Sequence, residues 1–320
     1  MFINSLIFPL RTLRENGFVH ATPLGSQRER SLLICCYVLA FVLVSCGSVG
    51  PPSASNNATA NIQSTGDNMA ESDQNLLFFK NLPRGFVKPK NDPERLLLKE
   101  YGAVYVARGG VTPPSKIVFK DEADVSGFQA GLAKSTENIG GVSVELQSAA
   151  MSALREARVE AQKSGLTIGP RGADSARRGY KQTVDLWASR VNPGFVHWVG
   201  LGKVTQAEAN RIKALSPVEQ VPEILTLEKS GIFFAKDLSK SVIYSVAPPG
   251  TSQHLSMLAF DAKEFENSSV RAILYKHGWY QTVVSDLPHF TYLGVSETEL
   301  PGLGLKRVEN AGRVFWVPDI

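Results

Sequence analysis

Cysteine is nearly missing from this chain, and its distribution is informative. The three cysteines, Cys35, Cys36 and Cys46, all precede residue 47. The remainder therefore offers no disulfide and no thiolate metal ligand. Any metal held there must use histidine, aspartate or glutamate. A charge excess is also lacking: 34 basic residues face 30 acidic ones, for a net charge of +4. With no long basic run, nucleic acid is not the expected partner. The main apolar run, Leu32 to Val44, falls short of the roughly 20 residues that span a bilayer. Internal repeats are absent too. What is present is apolar residues in quantity. The chain has 320 residues, 43% hydrophobic and 20% charged, enough for one large domain or two small ones with a core.

The first 46 residues read as a targeting segment. Arg28 and Arg30 precede the apolar run, which ends in small residues around Cys46. Leu43-Val44-Ser45-Cys46 resembles a bacterial lipobox, which implies that Cys46 is lipidated and becomes the first mature residue. A short membrane anchor is the alternative. Residues 47–75 are rich in Ser, Asn, Gly and Ala, with Ile62 and Met69 as the large apolar residues, and read as a flexible tether. The expected location is the cell envelope, lipid-anchored to a bacterial membrane and facing the cell wall.

Globular sequence begins near Leu76. Residues 76–140 form an N-terminal part of unassigned role, and 141–320 the main domain. Helices are expected over 92–102, 143–165, 173–191, 205–215 and 268–278, with a Pro-punctuated connection after 205–215. In the second of these, Leu146, Ala150, Leu154, Ala157 and Ala161 recur at helical spacing. Strands are expected at Ala103–Ala107, Lys116–Phe119, 166–168, 241–247, 258–262 and 289–294, with a Pro-Gly turn at 247–252. Helices first and strands later predict an α+β domain, not alternating βαβ units.

Of five histidines, His20 lies in the leader. His197, in a stretch that reads as a strand, suits a core or surface role. His277 precedes a glycine and suits a helix C-terminus, where its charge meets the dipole. His254 and His289 differ, because each lies in an apolar strand-like segment near a carboxylate. A catalytic zinc takes three protein ligands and leaves one position open. His254, Asp261 and His289 supply two neutral imidazoles and one carboxylate. Seven residues of straight strand would separate His254 from Asp261 by roughly 20 Å, so the chain must turn between them if one ion is to use both.

The segment Ser252-Gln-His-Leu-Ser-Met-Leu-Ala-Phe-Asp261 resembles the S-x-H-(x)6-D signature of the VanY- and VanX-like zinc D-alanyl-D-alanine carboxypeptidases. The lead-in Ala247-Pro-Pro-Gly-Thr-Ser-Gln-His254 resembles that family's A-P-P-G-x-S-x-H. Asp286-Leu-Pro-His-Phe290 resembles its acidic-x-x-His signature, and Arg178-Gly-Tyr-Lys-Gln-Thr183 its R-S-Y-x-x-Q motif. The likeness spans roughly residues 140–295. It implies a DD-peptidase/Hedgehog-like fold, in which helices pack on a small antiparallel sheet carrying a zinc site. By the same resemblance His254, Asp261 and His289 bind zinc, and Asp286 is the general base toward zinc-bound water. Arg178 holds the substrate or polarises its carbonyl, with Arg171 a competing candidate. Ser252 lies in the substrate pocket, and Tyr180 and Trp187 pack. The implied activity is hydrolysis of peptidoglycan stem peptides.

This chain also departs from the pattern. The carboxypeptidase branch carries E-P-W-H where Asp286-Leu287-Pro288-His289 stands here. The related L-alanyl-D-glutamate endopeptidases carry D-x-P-H-F, which fits better. Met257 occupies the place of the family's glycine after the first histidine, and Gly179 and Thr183 replace its usual Ser and Gln. A carboxypeptidase, an endopeptidase and a non-catalytic wall-binding lipoprotein are all compatible with these changes.

Overall fold

The computed structural model describes residues 76–320. The expectations on residues 1–75 (the leader, the tether and the lipidation at Cys46) lie outside them. In chain order the helices and strands are α1 (Leu77–Asn81), α2 (Asp92–Tyr101), α3 (Glu122–Ala130), β1 (Lys134–Ile139), β2 (Val142–Gln147), α4 (Ser148–Lys163), α5 (Tyr180–Gly200), α6 (Gln206–Lys213) and α7 (Pro217–Lys229). They continue with β3 (Ala259–Asp261), α8 (Ser268–Lys276), β4 (Trp279–Tyr280), β5 (His289–Tyr292), β6 (Leu305–Asn310) and β7 (Arg313–Pro318). All three sheets are antiparallel: β1–β2, β6–β7 and the central β3-β5-β4. The class is α+β, as expected.

Local chemistry explains most helix starts. Asn91, Asp121, Thr205 and Asn267 each accept a backbone N–H in the first turn of the helix that follows, satisfying donors that have no intrahelical partner. In α4 the buried face is Ala150, Met151, Leu154, Ala157 and Ala161, which matches the expected stripe except that Leu146 belongs to β2. Residues 142–147 pair with β1 as a strand, so the helix starts at Ser148, not at residue 143.

Several apolar runs expected as strands adopt other structure. Gly102–Val106 and Val242–Tyr244 are 3-10 turns. Lys116–Phe119 and 166–168 lie in no strand, the nearest ladder contact to the latter being the isolated bridge Pro170–Ala262. Gly102–Val106 is buried throughout, and a run buried on every side shows no period that separates strand from turn. The helix expected over 173–191 begins at Tyr180 and continues to Gly200, so His197 is helical and exposed. Helix α7 was expected as a Pro-punctuated connection. Pro217 sits in its first turn, where no N–H is needed, and Ser216 and Glu219 form a capping box.

The central sheet sets the site. Phe260 pairs with Phe290, Asp261 with His289, and Trp279 with Tyr292. Phe260, Trp279 and Phe290 are fully buried and join the main core with α4 and α8. Residues 76–140 and 141–320 belong to one compact unit, and the β1–β2 hairpin turns at Gly140–Gly141, astride the expected boundary. Among the described residues no helix is long and apolar enough to cross a membrane.

Candidate metal centre

His254 sits on the 3-10 turn Gln253–Ser256, which Met257 closes in the left-handed conformation at φ +60°. The chain then enters β3, whose last residue is Asp261. His289 opens β5 directly across from it. The reversal expected between His254 and Asp261 is therefore this turn. A separation of roughly 20 Å in straight strand becomes side-chain contact.

Three atoms converge. His254 Nε2 lies 3.2 Å from Asp261 Oδ1, His289 Nδ1 lies 3.2 Å from the same oxygen, and the two nitrogens are 3.2 Å apart. Ligands placed about 2.0–2.1 Å from a zinc ion at tetrahedral angles would lie about 3.3–3.4 Å from one another. The triangle has that size, and the three residues form a buried group able to hold a metal ion.

Protons make the fit sharper. His254 Nδ1 faces the Ala176 main-chain carbonyl at 2.7 Å. A carbonyl only accepts, so Nδ1 carries the hydrogen and Nε2 presents a lone pair. His289 Nε2 donates to Gln253 Oε1 at 2.9 Å, leaving its Nδ1 as a lone pair as well. With the carboxylate, three acceptors face one another with no hydrogen between them. A cation resolves that repulsion. Burial pushes the His254 imidazole below its ordinary pKa, against the pull of Asp261, which keeps the ring neutral as a ligand must be.

Arg178 backs the carboxylate. Its Nη2 donates to Asp261 Oδ2 at 2.8 Å and its Nε to the Asp174 carbonyl at 2.9 Å. One carboxylate oxygen thus faces the histidines while the other faces a guanidinium, an outer partner of the sort that orients a ligand. The guanidinium expected to hold substrate is committed first to Asp261. It lies in the loop before α5, not on a helix.

The triangle opens onto a cleft of about 610 Å³ lined by Arg171, Arg178, Arg190, Tyr244, Ser252 and Asp286, among others. Every residue named from the sequence as catalytic or substrate-binding reaches this cleft. Arg171 is exposed, with its backbone N–H donated to the Asp261 carbonyl. Ser252 is buried at the start of the 3-10 turn. Asp286 is exposed in the turn before β5, and its carbonyl accepts the His289 N–H at 3.2 Å. His197 and His277 lie elsewhere. His277 caps α8 and meets Glu160 at 2.9 Å. Tyr180 and Trp187 are buried, as expected of packing residues.

Three supports of the site carry little signature in the sequence. Gln253 touches His289. Gln129 of α3 donates to the Arg178 and Leu255 carbonyls at 2.9 and 3.1 Å. The Tyr101 carbonyl accepts from Gln253 at 2.9 Å. Only Gln253 lies inside a motif, and nothing in its spacing marked it. No protein-family model, curated protein or solved structure matches the chain, so the likeness to the VanY- and VanX-like peptidases rests on the motif residues themselves.

Proposed function

We propose that this protein is a zinc metallopeptidase that hydrolyses peptidoglycan stem peptides in the manner of a D-alanyl-D-alanine carboxypeptidase. The observation that carries the proposal is the triangle of three lone-pair acceptors, His254 Nε2, His289 Nδ1 and Asp261 Oδ1, opening onto a cleft that also bears Asp286. Zinc held there supplies Lewis acidity toward a peptide carbonyl and an attacking water. The net charge of such a site is +1, because one ligand is anionic. Asp286 is the general base: its carboxylate takes the proton of the attacking water and returns it to the leaving amine. It is exposed on the cleft, and among the described residues no side-chain hydrogen bond engages its carboxylate, so no partner there competes for that proton.

Arg178 keeps Asp261 ionised and aligned, and its Nη1 remains available to a substrate carbonyl. Arg171 and Ser252 line the same cleft and contact the peptide. A lipid at Cys46 followed by the 47–75 tether would hold the domain at the membrane surface, within reach of the wall.

A second reading has one specific support. Asp286-Leu287-Pro288-His289-Phe290 fits the D-x-P-H-F pattern of the L-alanyl-D-glutamate endopeptidases better than E-P-W-H. Mass spectrometry of products from muropeptides of defined stem length separates the two. Loss of a single terminal alanine supports the carboxypeptidase, and cleavage next to the first stem residue supports the endopeptidase. Intact muropeptides after incubation with the zinc-loaded protein would leave a wall-binding lipoprotein.

A further inference from the structure

The Gln253 side chain is buried among groups whose hydrogen-bonding roles are fixed. Its Nε2 donates to the Tyr101 carbonyl at 2.9 Å. Because that carbonyl can only accept, the amide cannot be turned over without burying two acceptors against each other, at a cost of about 1–3 kcal/mol. Its Oε1 must therefore face the other way. There it accepts from the Thr291 hydroxyl and from His289 Nε2. Thr291 in turn shares a 2.6 Å hydrogen bond with Thr282. Gln253, Thr282 and Thr291 are all essentially excluded from solvent, so water offers no alternative partner.

We propose that Gln253 is the positioning residue that fixes the tautomer of His289, and with it the ring nitrogen that His289 presents to a metal. The chain of cause runs from the Tyr101 carbonyl at the end of α2, through the Gln253 amide, to the imidazole. With the amide as found, His289 carries its hydrogen on Nε2 and offers the Nδ1 lone pair to the triangle. With the amide reversed, Nε2 would have to accept, and the Nδ1 hydrogen would point at Asp261 Oδ1 and fill the place of a cation. The orientation of one buried amide thus chooses between a metal-ready site and a site closed by its own proton. This deepens the metal reading above, and its affinity arm rests on that reading.

The test uses the full-length protein with ¹⁵N-labelled histidine. In the metal-free state, at a pH where imidazole is neutral, long-range ¹H–¹⁵N spectra report each tautomer, with His289 assigned from the signal lost in His289→Asn. His289 is expected as the Nε2–H form in the wild type and shifted toward Nδ1–H in Gln253→Leu. Zinc affinity of Gln253→Leu, measured by competition with a chelator, is expected to fall about 10–100-fold. Gln253→Glu, which can still accept from Nε2–H, is expected to keep the wild-type tautomer. A wild-type His289 in the Nδ1–H form overturns the proposal, as does a Gln253→Leu variant that binds zinc like the wild type. If the wild type binds no metal, the metal reading fails while the tautomer measurement still decides the role of Gln253. If Gln253→Leu does not fold, Gln253→Glu decides it, and loss of the Nε2–H form in that variant overturns the proposal.

Discussion

Met257 holds a left-handed backbone conformation, at φ +60°, that costs a side-chain-bearing residue roughly 1–2 kcal/mol. A glycine, the residue of the resembling motif at this position, would avoid that cost. In this chain the methionine side chain is fully buried, and removing a buried methionine costs about 2–5 kcal/mol. Burial wins on these magnitudes. Met257→Gly should therefore destabilise the protein by about 2 kcal/mol, read as a lower urea midpoint; a rise would mean that backbone strain dominates. At the metal triangle, His289→Ala removes one of three ligands and should abolish zinc binding. His277→Ala and His197→Ala, both away from the cleft, should keep one equivalent. Elemental analysis of the purified proteins checks this, and a wild type with less than about a tenth of an equivalent after zinc-replete purification would refute the ligand set. Asp286→Asn should keep zinc and lower kcat about 10²–10⁴-fold, the usual weight of acid–base assistance. Wild-type turnover of muropeptides by that variant would remove Asp286 as the base. Pro288 restricts Leu287 and fixes its own φ, so the segment that carries Asp286 loses little freedom on folding.

Two glycines at turns separate conformation from space. Gly250 has φ +77°, and a Cβ there would lie 1.9 Å from the Phe119 carbonyl oxygen, which belongs to the backbone and cannot swing away. Gly231 has φ +81° with nothing within 4 Å of the same position. Gly231→Ala should cost about 1–2 kcal/mol, the conformational term alone. Gly250→Ala should cost clearly more and, two residues before Ser252, should also weaken zinc binding. Equal denaturant midpoints for the two variants would show that the packing of 247–252 against Phe119 does not matter. The element scale is also where the sequence was least legible. Helices with a one-sided apolar stripe, α2, α4, α6 and α8, are legible in the sequence, with boundaries off by up to several residues. Gly102–Val106 departs from the expected strand because a run buried on every side carries no period. Helix α7 was missed because Pro217 and Pro222 suggested a loop, although Pro217 stands where a helix tolerates it.

At the scale of the molecule, residues 76–140 gain a role the sequence did not supply. Tyr101, Phe119 and Gln129 reach the site through main-chain and amide contacts, so this segment buttresses the candidate metal site. The other whole-molecule expectation concerns location. If Cys46 is lipidated, Cys46→Ala should move the protein out of the membrane fraction and change its mass. An unchanged distribution with unchanged mass would mean that the apolar segment is a plain anchor.

The sequence by itself determined the ligand types, because cysteine is absent after residue 46 and only imidazole and carboxylate remain. Residue types offered His254, Asp261 and His289 as a candidate triad, the motif resemblance added Asp286, and periodicity with element order pointed to the α+β class. Only the tertiary structure decided that the three ligand atoms meet at 3.2 Å. It also decided that Arg178 is spent on Asp261 and that Gln253 stands behind His289. The physical reason is that hydrogen-bond direction is set by groups far apart in sequence. The carbonyls of Ala176 and Tyr101 dictate where the imidazole protons sit, and a main-chain carbonyl has no signature in the sequence.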